Sequence, residues 1–388
     1  MKKRIFTFII AVTTLLMVMP AISVSAANDI TLIIDGVTQK PTVAPVVENG
    51  TTLVPLRLIS ETLGAEVSWN TAKQQATIQT AAYTVVFTIG STTYTVNSAS
   101  KTLLQAPKLI NGSTMVPIRA FAEAIGAKVN YIASTNTATV DYFTTMTGTL
   151  KIDGSTTLQP IAQAAADKLM KMNKNLSITV DGGGSGTGIK DVQAGIVNIG
   201  MSSRELTDDE LKTINAYAVA NDGIAIIVHP DNPVKNLTKD QASKIFLGEI
   251  KNWKDVGGND APIIVMTRET GSGTRATLEE MILSKQSIAE TATPYTSSAL
   301  IKQAVAKDKN AIGFDSVGFV DSTVKAVSLD GKAATSETVM DNTYGMGRQL
   351  FCCTKGKATE LSAMFIDYLR SADCQNSIVE AEGYIKLK

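Results

Sequence analysis

Apolar and polar positions follow one another in three different ways along the 388 residues, and each way predicts a different kind of segment. Residues 5–19 form an unbroken apolar run behind Lys2, Lys3 and Arg4; Pro20 ends it, and Val24-Ser25-Ala26 supplies the small residues that a signal peptidase requires. The run is shorter than the roughly 20 apolar residues that span a bilayer, so residues 1–27 read as a secretory signal peptide rather than a membrane anchor. Over residues 28–143, alternating β-branched stretches are punctuated by glycine and proline, the pattern of short strands and tight turns. Beyond residue 148 apolar strands run through small polar residues into stretches of helical spacing, which predicts an α/β fold with mainly parallel sheets.

The middle segment is an internal repeat. Asn49-Gly50-Thr51-Thr52-Leu53-Val54-Pro55-Leu56-Arg57 returns as Asn111-Gly112-Ser113-Thr114-Met115-Val116-Pro117-Ile118-Arg119, an offset of 62 residues that persists through Leu63-Gly64-Ala65 and Ile125-Gly126-Ala127. Each copy reads strand, turn, helix, strand, strand: Asn-Gly marks the turn, the short helix follows the proline, and Gly64 or Gly126 stops it. Arg57 and Arg119 sit at the same place in each copy and are read as pairing with a carbonyl or carboxylate of their own repeat. Residues 141–149, rich in threonine, read as a linker.

In the last segment three strands enter helices through small polar turns: Gly154-Ser155-Thr156-Thr157, Gly182-Gly183-Gly184-Ser185-Gly186-Thr187-Gly188, and Arg268-Glu269-Thr270-Gly271-Ser272-Gly273-Thr274. A helix start has amides without internal partners and a partial positive charge; glycine admits close approach and serine or threonine adds a hydroxyl. Three such starts with one arginine point to a tetrahedral oxyanion, and no G-x-x-x-x-G-K-[ST] is present to suggest a nucleotide loop.

Composition narrows the choice. Lys plus Arg and Asp plus Glu both total 36; without the signal peptide the count is 33 against 36, a net charge of −3, so nucleic acid is not an expected partner and anion binding must come from local donors. One histidine, His229, and three cysteines, Cys352, Cys353 and Cys374, are too few soft ligands for an ordinary zinc, haem or iron–sulfur site, so neither metal nor cofactor is expected. Cys374 has either Cys352 or Cys353 as a disulfide partner, or all three remain thiols; spacing does not choose. His229 precedes Pro230 at an apparent strand end and has no triad setting, and Asp208, Asp209 and Glu210 read as a helix cap rather than glycosidase acids. No catalytic residues are expected.

Two resemblances follow from these motifs. The V-P-L-R and G-A-x-V signatures in both copies of residues 28–143 resemble the copper amine oxidase-like N-terminal or stalk domain, which implies a spacer or surface-attachment module with a possible cell-wall partner. Residues 28–143 contain no histidine or cysteine to ligate copper. Residues 148–388 resemble the phosphate-binding protein of phosphate ABC transporters through Gly154-Ser155-Thr156-Thr157-Leu158-Gln159-Pro160, Gly184-Ser185-Gly186-Thr187-Gly188, Ile199-Gly200-Met201-Ser202-Ser203-Arg204-Glu205-Leu206 and the Arg268–Thr274 block. That resemblance implies a two-lobed, periplasmic-binding-protein-like (type II) domain: lobe 1 at about residues 148–220 and 311–388, lobe 2 at about 221–310. It implies phosphate contacts at Thr157, Leu158, Ser185, Arg268, Ser272, Gly273 and Thr274, with Ser203 and Arg204 added from the third block. The implied role is a secreted or envelope-associated receptor that delivers inorganic phosphate to a membrane ABC permease. Ser203 stands where many members carry an aspartate that accepts a phosphate proton; Asp181, Asp222 and Glu269 are the replacements considered. The alternatives are an envelope adhesion or structural protein, and a sensor or scavenger of sulfate or molybdate.

Overall fold

The computed structural model describes residues 30–387, and the signal-peptide reading of residues 1–27 lies outside them. In the first repeat, Asn49 and Gly50 both take positive φ and turn strand Val46–Glu48 into Thr51–Pro55. Two consecutive positive φ values suit a tight hairpin whose twist matches its strands. Pro55 leads directly into helix Leu56–Thr62, which buries Leu56 and Ile59, and Gly64 follows with φ 76° ahead of strands Glu66–Asn70 and Gln75–Gln79. The second repeat copies this with strands Lys108–Ile110 and Ser113–Pro117, helix Ile118–Ala124, and strands Lys128–Ile132 and Thr137–Asp141. The repeats join antiparallel, Val54 opposite Val116, and strand Thr31–Ile34 adds parallel to Thr137–Asp141.

The repeat domain is not tethered by a free linker. Tyr142 and Phe143, inside the stretch read as a linker, are buried, and Phe143 meets Tyr368 edge to face with ring centroids 5.1 Å apart. Their apolar cluster is continuous from Leu32, Val54 and Phe121 through Tyr142 to Leu150, Phe365 and Leu369. Asp367, wholly buried on helix Glu360–Arg370, accepts the Ala81 amide at 2.8 Å and the Tyr142 hydroxyl at 2.9 Å. Burial pushes its carboxyl up to about 7, against the pull of those two donors. Arg370 pairs with Glu66 across the same boundary.

A ten-stranded sheet runs through both lobes. In lobe 1, Gly148–Gly154 lies parallel between Leu176–Gly183 and Ile199–Ser202, crossed by helices Gln159–Met172 and Ser185–Ala194. Helix Gln159–Met172 starts with Pro160 in its first turn and buries Ile161, Ala162, Ala165, Ala166 and Leu169, one helical face. The 15-residue strand Ile214–Val228 then crosses into lobe 2, pairing first with Gly347–Lys355 and then with Ala311–Ser316.

The return crossing corrects the expected boundary at 311. Strands Ala311–Ser316 and Lys325–Leu329 both pair with the lobe 2 end of Ile214–Val228, and Val339, Tyr344 and Met346 fill the lobe 2 core. The chain re-enters lobe 1 at Gly347, so lobe 2 extends from about 221 to about 346. Cys352, Cys353 and Cys374 are buried and unpaired, and burial pushes the Cys353 and Cys374 thiols up to about 12.

Candidate functional site

Three helix starts converge where the lobes touch. The turn before Gln159–Met172 supplies Thr156, Thr157 and Leu158; Gly184, at φ 89°, opens helix Ser185–Ala194; and Ser272 caps helix Gly273–Met281 by accepting the Arg275 amide at 3.3 Å. Among the described residues the amides of Thr157, Ser185, Gly273 and Thr274 have no protein acceptor. These are the donors that a helix start leaves unpaired, and they lie on both sides of the interface.

The lobes meet through hydroxyls and guanidinium groups. Thr157 Oγ1 of lobe 1 lies 2.9 Å from Thr274 Oγ1 of lobe 2, and Ser185 Oγ lies 3.3 Å from Ser203 Oγ and accepts the Ser203 amide at 3.1 Å. Gly273 must be glycine here: a Cβ would stand 2.7 Å from Ser203 Oγ and closer still to Ser185 Oγ. Arg268, 2% exposed, reaches across from lobe 2: Nη2 donates to Thr156 Oγ1 at 2.9 Å and Nη1 to Ser298 Oγ at 3.0 Å, while Tyr295 and Thr296 carbonyls fix the rest of the group. Hydroxyl acceptors can turn to donate to a bound oxyanion, so this network can hand its donors to a ligand without leaving the protein unsatisfied.

The structure thus brings together Thr157, Leu158 through its backbone, Ser185, Ser203, Arg268, Ser272, Gly273 and Thr274. It does not bring in Arg204. That guanidinium forms a two-pronged pair with Glu210, Nη1 to Oε2 at 2.9 Å and Nη2 to Oε1 at 2.8 Å, which holds the Glu210 carboxyl below its usual range. Glu210 is also the third residue of a capping box with Thr207, so the acids at 208–210 act as a helix cap. His229 Nδ1 accepts the Asp231 amide at 3.1 Å, which leaves it no role as a base at this site.

Motif reading missed a second arginine. Arg348, on the return strand, donates to Thr274 Oγ1 and the Ser203 carbonyl, both at 3.0 Å, and grips Asp222 Oδ2 with Nε and Nη2 at 2.9 and 2.8 Å. Asp222, one of the carboxylates considered as a proton acceptor, is fully occupied by this pair and by Ser316 Oγ at 2.6 Å. Asp181 is exposed and Glu269 half-buried. The only signal for Arg348 is a charge beside Gly347 on a strand whose one other charge, Lys355, stands at its exposed end.

A further carboxyl, Asp315, carries no sequence motif. Asp315 is 1% exposed; Oδ1 accepts the Ser316 amide at 2.8 Å and Oδ2 is buried without a hydrogen-bond partner. Burial raises its pKa to about 7, opposed by the Ser316 amide, Arg268, Ser298 and Arg348. Burial conversely lowers the Arg268 pKa, with Asp315 pulling it back up and Arg348 pushing it down.

Comparison with known proteins finds two family models and a set of relatives. Residues 133–373 match the PBP superfamily domain and residues 33–140 the copper amine oxidase N-terminal domain. The phosphate-binding protein PstS of Bacillus subtilis (strain 168) is 40% identical over 242 residues, covering 61% of this chain and 80% of that protein. PstS of Borreliella burgdorferi is 30% identical over 256 residues, covering 62% and 90%. A Clostridium perfringens structure described as a phosphate ABC transporter substrate-binding protein with bound phosphate superposes with a TM-score of 0.59 at 38% identity, covering 62% of this chain and all of that one. An ABC-type phosphate transport receptor from Vibrio cholerae gives 0.53 at 34% identity, covering 61% and 100%.

Proposed function

The chain belongs to the PBP superfamily, and from that membership and the geometry at the lobe interface we propose that it binds inorganic phosphate between its lobes and delivers it to a membrane ABC importer. The observation that carries this reading is the meeting of unpaired amides at Thr157, Ser185, Gly273 and Thr274 with the buried Arg268 guanidinium. Backbone donors and one fixed positive group suit a small four-oxygen anion, and they replace its hydration without long-range attraction. We read the protein as a receptor, not an enzyme, acting outside the cytoplasm. Among the described residues no helix is long and apolar enough to cross a membrane.

Asp315 takes the part of the proton-accepting carboxylate in this reading. Its Oδ2 has no hydrogen-bond partner, the carboxyl as a whole feels Arg268, Ser298 and Arg348, and a hydrogen phosphate can share a proton with it where sulfate has none to share.

Isothermal calorimetry with phosphate tests the assignment. Arg268→Ala is expected to cost about 2–5 kcal/mol of binding free energy, the usual cost of removing one partner of a buried charged contact. Unchanged affinity, or wild-type preference for sulfate over phosphate, overturns it.

A further inference from the structure

The site between the lobes rests on a segment that no motif marks. Residues 380–387 run along the crossing between the lobes. Ile385 exchanges backbone hydrogen bonds with Asn221, its amide donating at 3.0 Å and its carbonyl accepting at 2.8 Å, and the Asn221 side chain donates to the Lys386 carbonyl at 2.8 Å. Two neighbouring residues here serve different lobes: Tyr384, 4% exposed, joins the apolar cluster that runs through lobe 1, and Ile385, 7% exposed, joins the core of lobe 2. The Tyr384 ring lies so close to lobe 2 that a Cβ at Gly318 would stand 2.8 Å from it.

The tip of that ring reaches the site. Tyr384 Oη donates to the Thr157 carbonyl at 2.6 Å, and among the described residues no backbone amide does so. Pro160, three residues on, has no N–H with which to close a turn on that carbonyl. Burial, with Asp222 and Asp315 nearby, holds the tyrosine well above its usual range, so the hydroxyl stays protonated and remains a donor.

The Thr157 carbonyl and the Leu158 amide are the two ends of one peptide plane, and in a trans peptide they point in opposite directions. Holding the oxygen toward Tyr384 therefore turns the Leu158 N–H away from the segment, where its one acceptor is Ser155 Oγ at a long 3.4 Å. A hydroxyl on the carbonyl also polarises the peptide unit and strengthens its N–H as a donor. We propose that Tyr384 is a positioning residue for phosphate: from the segment that joins the lobes, its hydroxyl fixes the Thr157–Leu158 peptide so that the Leu158 amide is presented to the anion. This assignment rests on the phosphate reading above.

Tyr384→Phe removes the hydroxyl and keeps the ring. Calorimetry with inorganic phosphate should find its affinity about tenfold weaker, the scale of one well-placed hydrogen bond. General loosening of the fold would weaken binding too, so the amides are read one by one in the 15N-labelled protein at saturating phosphate. Phosphate should shift the Leu158 amide resonance downfield in the wild type and by less than half as much in Tyr384→Phe, while the Gly273 amide moves equally in both. Ile385→Ala, which takes packing from the same segment and leaves the hydroxyl, should lower Tm and keep the full Leu158 shift. The proposal is overturned if Tyr384→Phe binds phosphate within twofold of the wild type, if its Leu158 amide moves in full, or if Ile385→Ala loses the Leu158 shift as well, which makes the tyrosine a packing residue only. The wild type supplies a check that needs no variant: a Leu158 amide that bound phosphate leaves unmoved also sinks the proposal. Wild-type protein that binds no phosphate takes the phosphate reading down with it, whereas every other adverse result removes this assignment alone.

Discussion

Where lobe 2 meets lobe 1, the contact is Thr157 against Thr274, Arg268 against Thr156 and Gly273 against two serine hydroxyls. Where the repeat domain meets lobe 1, it is Tyr142, Phe143, Tyr368 and Phe365 in one unbroken apolar cluster, sealed by Asp367. Water can replace hydroxyl-to-hydroxyl bonds at little net cost, about 1 kcal/mol each. Exposing a shared core costs on the order of 25 cal/mol for each Å² of apolar surface. The first boundary is therefore one that ligand can open and shut, and the second is fixed.

The largest expected effect comes from the buried pair behind the cleft. Arg348→Ala leaves Asp222, at 0% exposure, with only the Ser316 hydroxyl as a partner and without its countercharge, and should destabilise the protein by about 3–5 kcal/mol in denaturant unfolding. A loss below 1 kcal/mol would mean that water reaches the carboxylate.

The two equivalent glycines sharpen the contrast at the fixed boundary. Gly64 and Gly126 have φ of 76° and 86°, so either alanine variant carries left-handed strain of about 1–2 kcal/mol. Only at position 64 would the new Cβ collide with the backbone of Asp367, whereas at 126 nothing lies within 4 Å. Gly64→Ala should lower Tm clearly more than Gly126→Ala; equal shifts would show that the junction can yield.

A pH titration separates the boundaries in another way. Asp367 and Asp315 both have folded pKa values raised to about 7 by burial, so the stability they contribute is fully present below the unfolded value near 3.8 and is lost as pH rises through 7. Asp367→Asn should flatten that loss without changing phosphate affinity. Asp315→Asn should flatten it too, and should also narrow the phosphate-over-sulfate preference by roughly tenfold, one shared-proton hydrogen bond. The smallest effect is expected at Arg204→Ala, where affinity should stay within about twofold and stability within about 1 kcal/mol, the range of a partly exposed ion pair.

Much of this could be read from local chemistry. The repeat announces its own turns through Asn-Gly, Pro and Gly at fixed spacing, and the strand-to-helix turns around Thr157, Ser185 and Ser272 carry their hydroxyls and glycines within a few residues. What escaped is set by distance along the chain or by direction. Arg348 and Asp222 lie on two crossing strands 126 residues apart, and no local pattern marks their pairing. Arg204 has the right chemistry next to the right serine, but Glu210, six residues on, turns it away. The lobe boundary at about 346 rather than 311 depends on the pairing of 312–316 with 224–228, which no local pattern announces. The stretch at 141–149 looked like a linker because threonines outnumber its two buried aromatics.

Among the described residues the repeat domain is anchored to lobe 1 through Tyr142, Phe143 and Asp367, so any swing of lobe 2 would leave that junction in place. A surface that grips the repeat domain would hold loaded and empty forms equally well. Only a partner that touches both lobes at once could tell them apart.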